Sequence, residues 1–99
     1  MAQPIYKVWF MKYTEAWYRL SPEEQNTLMA QVGASLQQVG AEVIMMRYSI
    51  WASEEWLGWG VEKYPNIEAV QQHAQNLYGL KWFMYVESQT SLGVEMPPT

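Results

Sequence analysis

Residues 5–13 constrain the fold more than any other part of the sequence, because this run is apolar on both of its alternating faces. It reads Ile-Tyr-Lys-Val-Trp-Phe-Met-Lys-Tyr. Successive side chains of a β-strand point to opposite sides of the sheet. A strand with one solvated face alternates apolar and polar residues, whereas a strand covered on both faces is apolar nearly throughout. We therefore expect 5–13 to be an inner strand with a layer on each side.

The clearest helix start is the tetrapeptide Ser-Pro-Glu-Glu at 21–24. Ser21 can accept a hydrogen bond from the backbone three residues on, and Glu24 can reach back to complete a capping box. Apolar residues then recur at spacings of three and four, and Gly40 suits the left-handed position that ends many helices. The pattern predicts a helix over 22–39.

The rest of the chain completes a single α+β domain over 1–99. The sequence predicts a strand over 41–51, a strand over 56–64, a helix over 67–78, a strand over 80–88 and a polar tail over 89–99. The order βαββαβ is that of the ferredoxin-like fold. It implies a four-stranded antiparallel sheet with strands 1 and 3 in the middle and two helices on one face.

The second face of this sheet has no cover in the predicted fold. Leaving a large apolar side chain exposed forfeits roughly 1.5–3 kcal/mol, and a whole domain is stable by only about 5–15 kcal/mol. The simplest cover is the sheet of a second copy, related by a two-fold axis. We therefore expect a homodimer with its sheets face to face.

Composition excludes several classes of function. The net charge of −4 and pI near 4.8 disfavour nucleic-acid and anionic membrane partners. The absence of cysteine excludes disulfides, cysteine zinc sites and thiol nucleophiles. No apolar run approaches the roughly 18 residues of a membrane span, so a cytoplasmic protein is expected. One histidine among scattered glutamates is a poor ligand set, and we predict no metal and no cofactor.

The predicted third strand leaves a hollow above two glycines. Gly58 and Gly60 fall on one face of it, between the larger side chains of Trp56 and Glu62. Glycine inside a strand indicates a close backbone approach or space for another group. Either a ligand or a bulky aromatic side chain of a partner could occupy this hollow.

The order of elements and the doubly apolar strands resemble the dimeric α/β-barrel superfamily over most of the chain. Within it, Glu-Lys-Tyr at 62–64 followed by Glu-Ala-Val-Gln-Gln-His at 68–73 is similar to a motif of the antibiotic biosynthesis monooxygenases. Residues 16–25 are similar to the start of the first helix in small uncharacterised members. In the monooxygenases a cavity admits a flat phenol or quinol, which reacts with oxygen without flavin or metal. Other members bind haem through a histidine on the second helix, where His73 lies.

This resemblance implies His73 and Glu62 as a catalytic, proton-handling pair. The candidate ligand-binding residues are Trp9, Trp56, Gly58, Gly60, Trp82 and Tyr85. Two hypotheses stay open. The first is a cofactor-independent enzyme, a monooxygenase or else an isomerase or cyclase, acting on an apolar aromatic molecule. The second is a non-catalytic homodimer that binds a small ligand or serves in assembly. The enzyme requires a solvent-connected cavity at His73 or Glu62. The non-catalytic protein would fill the hollow with side chains and hold His73 as a structural residue.

Overall fold

Strands and helices alternate in the order expected of a ferredoxin-like domain. The computed structural model describes residues 3–52 and 54–97. The elements, in chain order, are β1 (Ile5–Tyr13), α1 (Glu15–Tyr18), α2 (Pro22–Gln38), β2 (Glu42–Tyr48), β3 (Gly58–Tyr64), α3 (Ile67–Gly79), α4 (Trp82–Tyr85) and β4 (Val86–Gly93). The helices within these ranges are all too short or too polar to cross a lipid bilayer.

The four strands form one antiparallel sheet in the order β2-β3-β1-β4. β1 therefore lies inside the sheet, paired with β3 on one side and β4 on the other, and the fold class predicted from the sequence is confirmed. Lys7 lies opposite Glu62 and Trp9 opposite Gly60. Directly opposed residues share a face, so this register decides which side chains meet.

Side-chain caps fix the starts of the two long helices. At α2, Ser21 Oγ accepts from the backbone N–H of Glu24 at 3.1 Å, and Glu24 Oε1 accepts from the backbone N–H of Ser21 at 2.9 Å. At α3, Asn66 Oδ1 accepts from the N–H of Ala69 at 2.8 Å. Gly40 follows α2 with a φ of 76°, in the left-handed region where glycine carries no steric penalty.

The prediction for the last strand was wrong. Residues 82–85, inside the predicted strand 80–88, form the short helix α4, and β4 runs from Val86 to Gly93 through the segment predicted to be a tail. The apolar side chains of this short helix pack against other aromatic rings. Trp82 lies edge-on to Trp17, with 6.2 Å between the ring centroids. β4 is a polar, exposed edge strand. Its hydrogen bonding to β1 could not be predicted from hydrophobic periodicity, because the strand carries no alternating apolar pattern.

Other parts of the structure also differ from the predicted elements. The connection 14–20 contains the four-residue helix α1, whose Trp17 stacks on Tyr13 at 4.3 Å between centroids. The predicted strands 41–51 and 56–64 are shorter in the structure, at Glu42–Tyr48 and Gly58–Tyr64. A register irregularity between Val43 and Met45 interrupts the pairing of β2 with β3.

The two faces of the sheet have different surroundings. The helices pack on the face that carries the odd-numbered residues of β1 together with the buried residues of β3, which are Gly58, Gly60, Glu62 and Tyr64. The opposite face, called the open face below, carries Tyr6, Val8, Phe10, Met45, Trp59 and Val61. The helix contacts described here all lie on the first face. Every residue of β2 is exposed.

Candidate functional site

Glu62 is a buried carboxylate at the centre of the sheet. The residue is only 6% exposed. Trp9 Nε1 donates to Oε2 at 3.1 Å, and the Tyr64 hydroxyl donates to Oε1 at 2.6 Å. Because a buried carboxylate is costly unless it is hydrogen-bonded, these two donors are what allow Glu62 to lie inside the protein.

Lys7 lies directly opposite Glu62 in the pairing of β1 with β3 and is half-buried. Among residues 3–52 and 54–97, its ammonium group has no hydrogen bond and no ion pair within 4.0 Å. Burial lowers the pKa of Lys7, and the negative charge of Glu62 partly opposes this. Lys7 is therefore a cation held close to a carboxylate whose two oxygens are already engaged by other donors.

His73 projects from α3 and is almost completely buried, at 2% exposure. Its Nδ1 lies 2.7 Å from Ser35 Oγ on α2, and its ring centroid lies 6.0 Å from that of Tyr64. Asn76 Nδ2 donates to the same Ser35 oxygen at 2.9 Å. If Ser35 uses its own proton to donate to Nδ1, neutral His73 carries its proton on Nε2.

The charge state of His73 follows from its surroundings. Burial lowers its pKa, the positive charge of Lys7 lowers it further, and the charge of Glu62 acts in the opposite direction. The pKa of Tyr64 is raised, chiefly by burial and then by its hydrogen bond to Glu62, so its hydroxyl stays protonated. At neutral pH the site holds a neutral imidazole and a phenol that donates to a carboxylate.

The structure brings the predicted pair close without joining it directly. Glu62 accepts from Tyr64, and the ring of Tyr64 lies against His73, so Tyr64 stands between them. We refer to Lys7, Trp9, Glu62, Tyr64 and His73 as the polar cluster. The hydrogen-bonded partner of His73 is Ser35, which in turn accepts from Asn76, and no hydrogen bond joins His73 to Glu62 within the described residues.

The hollow above the two glycines is filled. A Cβ atom added to Gly60 would lie 2.6 Å from Trp9 Cε2, because the indole crosses Gly60 to reach Glu62. A Cβ atom on Gly58 would lie 2.9 Å from the backbone oxygen of Arg47. The glycines are therefore explained by close approach within one chain.

The other predicted ligand-binding residues lie apart from the cluster. Trp56 lies on the open face, with its ring 6.1 Å from that of Phe10 and beneath the ammonium of Lys12. Trp82 packs against Trp17. Tyr85 lines a surface cleft of about 310 Å³ beside α2. Neither described cleft is lined by Trp9, Trp56 or Trp82.

A second cleft lies between α2 and α3 and has a volume of about 430 Å³. Ser35 and Asn76 are among its lining residues, whereas neither described cleft is lined by His73 or Glu62. The bonds from Asn76 to Ser35 and from Ser35 to His73 thus connect this cleft with the buried imidazole.

Sequence reasoning missed Lys7, Tyr64 and Ser35. The signal for Lys7 was available: it is a charged residue on the same alternating face as Ile5 and Trp9. Nothing in the local sequence marks Ser35, since its role depends on the packing of α2 against α3.

The residues at His73 do not fit haem. One ring nitrogen already has Ser35 as its partner, and the ring packs near Tyr64 with 2% of the residue exposed. This arrangement leaves no open side of the imidazole for a macrocycle. Among the residues that the structure describes, no group of three or more potential metal ligands is close enough to hold an ion.

Replacing Tyr64 with phenylalanine is expected to reduce the free energy of unfolding by about 1.5–3 kcal/mol, because buried Glu62 loses a charge-assisted hydrogen bond. Urea denaturation at neutral pH measures the change. Tyr78→Phe is the matched control, since Tyr78 is 79% exposed. Equal stability of the two variants would show that the hydroxyl of Tyr64 contributes nothing to holding Glu62.

Comparison with known proteins identifies the fold. No protein-family model matches the sequence, and no curated protein is similar to it in sequence. A variant of the chlorite dismutase from Candidatus Nitrospira defluvii superposes with a TM-score of 0.77 at 16% identity, over 99% of this chain and 42% of that chain. The same enzyme in complex with imidazole gives a TM-score of 0.75 at 17% identity, over 96% of this chain and 41% of that chain.

Because the sequence identity is low, these matches show a shared fold alone. The predicted ferredoxin-like fold is confirmed, and the matched chlorite dismutases share this fold. The chain spans 42% of the length of the chlorite dismutase chain.

Proposed function

We propose that the protein is a homodimer whose open faces pack together, and that it binds a small ligand or serves in assembly. The observation that carries this proposal is the exposed apolar surface. Met45 of β2 is 36% exposed and lies opposite the half-buried Val61 of β3, which lies opposite the half-buried Val8 of β1. Contiguous apolar surface of this kind marks an interface.

The charges of the open face are compatible with self-association. Lys12, Arg47 and Lys63 lie on this face together with Glu42 and Glu87, and Lys12 pairs with Glu87 at 3.4 Å. A two-fold interface brings the same surface from each copy together. Because both signs are present, two copies can meet without a large excess of like charge despite the net charge of −4.

The interior of the protomer supports a binding or assembly role over an open-cavity enzyme. Trp9 fills the hollow at Gly60, and His73 is buried with Ser35 as its hydrogen-bond partner. These were the features expected of a non-catalytic dimer. Sedimentation equilibrium tests the assembly: we expect twice the 11.6 kDa chain mass at micromolar concentration. A monomer under those conditions would refute the proposal.

A second candidate is a cofactor-independent monooxygenase acting on an apolar aromatic quinol or phenol. The polar cluster favours it, because buried titratable groups that perturb one another are typical of catalytic sites. His73 would accept the substrate proton at Nε2 in the tautomer whose Nδ1–H donates to Ser35, which the hydroxyl also permits. Access to His73 would require the surrounding side chains to move.

Oxygen consumption with a panel of hydroquinones tests this second candidate. Turnover by the natural protein that is lost in His73→Gln, with the dimer intact, would support it. Absence of turnover across the panel, or equal turnover by His73→Gln, would remove His73 from any such reaction.

A further inference from the structure

The helix α2 buries little of its surface in the protomer. It lies entirely within the described residues, and of its 17 residues only Leu28 and Ser35 are buried. Both clefts described above are lined in part by α2, so packing along this helix is incomplete. Elements with few buried apolar contacts open at a lower free energy than the rest of a protein. The position of α2 therefore depends on a small number of contacts.

One of the two buried residues of α2 is polar, and its hydrogen bonds lead to α3. Ser35 Oγ lies 2.7 Å from Nδ1 of His73, and Asn76 Nδ2 donates to the same oxygen at 2.9 Å. Asn76 Nδ2 also donates to Oε1 of Gln38 on α2 at 3.3 Å. We refer to Ser35, His73 and Asn76 as the helix contact. The helix contact joins α2 to α3 through a titratable ring that is 2% exposed.

A proton on His73 would disturb the helix contact in two ways. It would place a charge on a buried ring, which is costly because the charge is removed from water. It would also make both ring nitrogens donors, so Nδ1–H would have to donate to Ser35 Oγ, which already accepts from Asn76. In the tautomer that accepts from Ser35, the hydroxyl hydrogen of Ser35 would then need another acceptor.

The groups that surround His73 favour its neutral form. Burial is the largest cause of its lowered pKa, the positive charge of Lys7 on β1 adds to this, and Glu62 on β3 acts in the opposite direction. Tyr64, also on β3, lies against the ring and keeps its own proton through its bond to Glu62. From α2, the facing residue is Ser35, which does not titrate in this range. The packed protein therefore disfavours a proton that a hydrated histidine would accept.

We propose that the helix contact is a pH-sensitive switch, in which protonation of His73 releases α2 from α3. It is α2 that moves, because α3 remains held by its buried Ala69 and Leu77. Its position on the helix-covered face separates the switch from the open face, so it does not depend on the proposed dimer. This inference concerns a conformational change and goes beyond the proposed binding or assembly role.

The direction of the pH effect follows from the two forms of His73. In the released form the ring is hydrated and its pKa returns to the ordinary value of 6.5, whereas in the packed form its pKa is lower. Below about pH 6.5 the released form therefore binds a proton that the packed form does not, and release becomes more favourable as pH falls. Above this pH, release does not depend on His73. Since His73 is the only histidine and cysteine is absent, no other side chain has an ordinary pKa between about 5 and 8.

Hydrogen–deuterium exchange of the full chain, followed by mass spectrometry, tests the switch. Protection factors, corrected for the pH dependence of the exchange chemistry, are compared at about pH 7.5 and about pH 5.5. At one unit below the pKa of a hydrated histidine, about ten released molecules carry the proton for each one that does not. We therefore expect the protection of α2 to fall about tenfold between the two conditions. At both pH values α2 is expected to be less protected than β1 and β3, because it opens without unfolding of the sheet.

Two variants separate the proton on His73 from the hydrogen bond that it makes. His73→Gln keeps a side chain that can bond to Ser35 but cannot titrate, so the protection of α2 is expected to be the same at both pH values. Ser35→Ala removes the partner and keeps the histidine. We expect it to lower the protection of α2 about five- to tenfold at about pH 7.5 while the pH dependence remains. Thr27→Ala is its matched control, since Thr27 is an exposed hydroxyl residue of the same helix and its loss should not reduce protection.

Three results would overturn the proposal. The first is equal protection of α2, β1 and β3 at both pH values, which would mean that α2 opens only when the whole domain unfolds. The second is the same protection of α2 at both pH values in the natural protein, and the third is an unchanged pH dependence in His73→Gln. If His73→Gln does not fold, an NMR titration of the single histidine in the natural protein decides the question. A pKa of His73 at or above 6.5 in the folded protein would then overturn the proposal, and a lower pKa would support it.

Discussion

Replacing Val61 with glutamate is expected to convert the protein into a folded monomer. Val61 lies on β3 in the middle of the open face, opposite Val8 on one side and Met45 on the other. In the proposed dimer, a glutamate from each copy would be desolvated among the apolar side chains of the interface, at a cost of several kcal/mol. We expect the dimer dissociation constant to rise on the order of a hundredfold or more, measured by sedimentation.

The isolated protomer should tolerate this change, since Val61 is half-buried and a glutamate there can reach water. Gln89→Glu is the matched control: it adds the same charge to the same face, at an exposed position of β4. The control is expected to remain dimeric. If Val61→Glu is as dimeric as Gln89→Glu, the open face is not the interface.

The inner position of β1 could be predicted because it depends on a property of the strand itself. A strand with apolar residues on both faces needs a layer packed on each face, which favours an inner position. In the structure, β1 lies between β3 and β4. The helix starts were predictable because Ser21 and Asn66 cap through local hydrogen bonds. β4 was not predictable in this way, because an exposed edge strand gains its stability from backbone pairing and carries no apolar pattern.

The candidate site was predictable only in part, for a related reason. Glu62 and His73 were singled out from their sequence context, and Trp9 from its position on β1. That Lys7 faces Glu62 is a consequence of the register between β1 and β3, which a single sequence does not specify. The bond from Ser35 to His73 depends on how α2 packs against α3.

Replacing Gly60 with alanine is expected to lower the free energy of unfolding by about 2–5 kcal/mol, from overpacking and a broken buried hydrogen bond. The new Cβ would lie 2.6 Å from Trp9 Cε2 and 3.0 Å from the backbone oxygen of Met45. The backbone oxygen cannot yield easily within the sheet, so the indole must move. Its movement would break the bond from Trp9 to Glu62. Urea denaturation measures the loss.

Gly33→Ala provides the matched control for this change. Gly33 lies within α2, and a Cβ atom there would have no neighbour within 4 Å. Alanine favours a helix over glycine by roughly 0.5–1 kcal/mol, so this variant is expected to be slightly more stable than the natural protein. The two variants are expected to change the free energy of unfolding in opposite directions. The comparison therefore separates the effect of crowding at Gly60 from the effect of replacing a glycine. If Gly60→Ala were as stable as Gly33→Ala, Trp9 would not occupy the hollow, and the space above Gly60 would be free for a ligand.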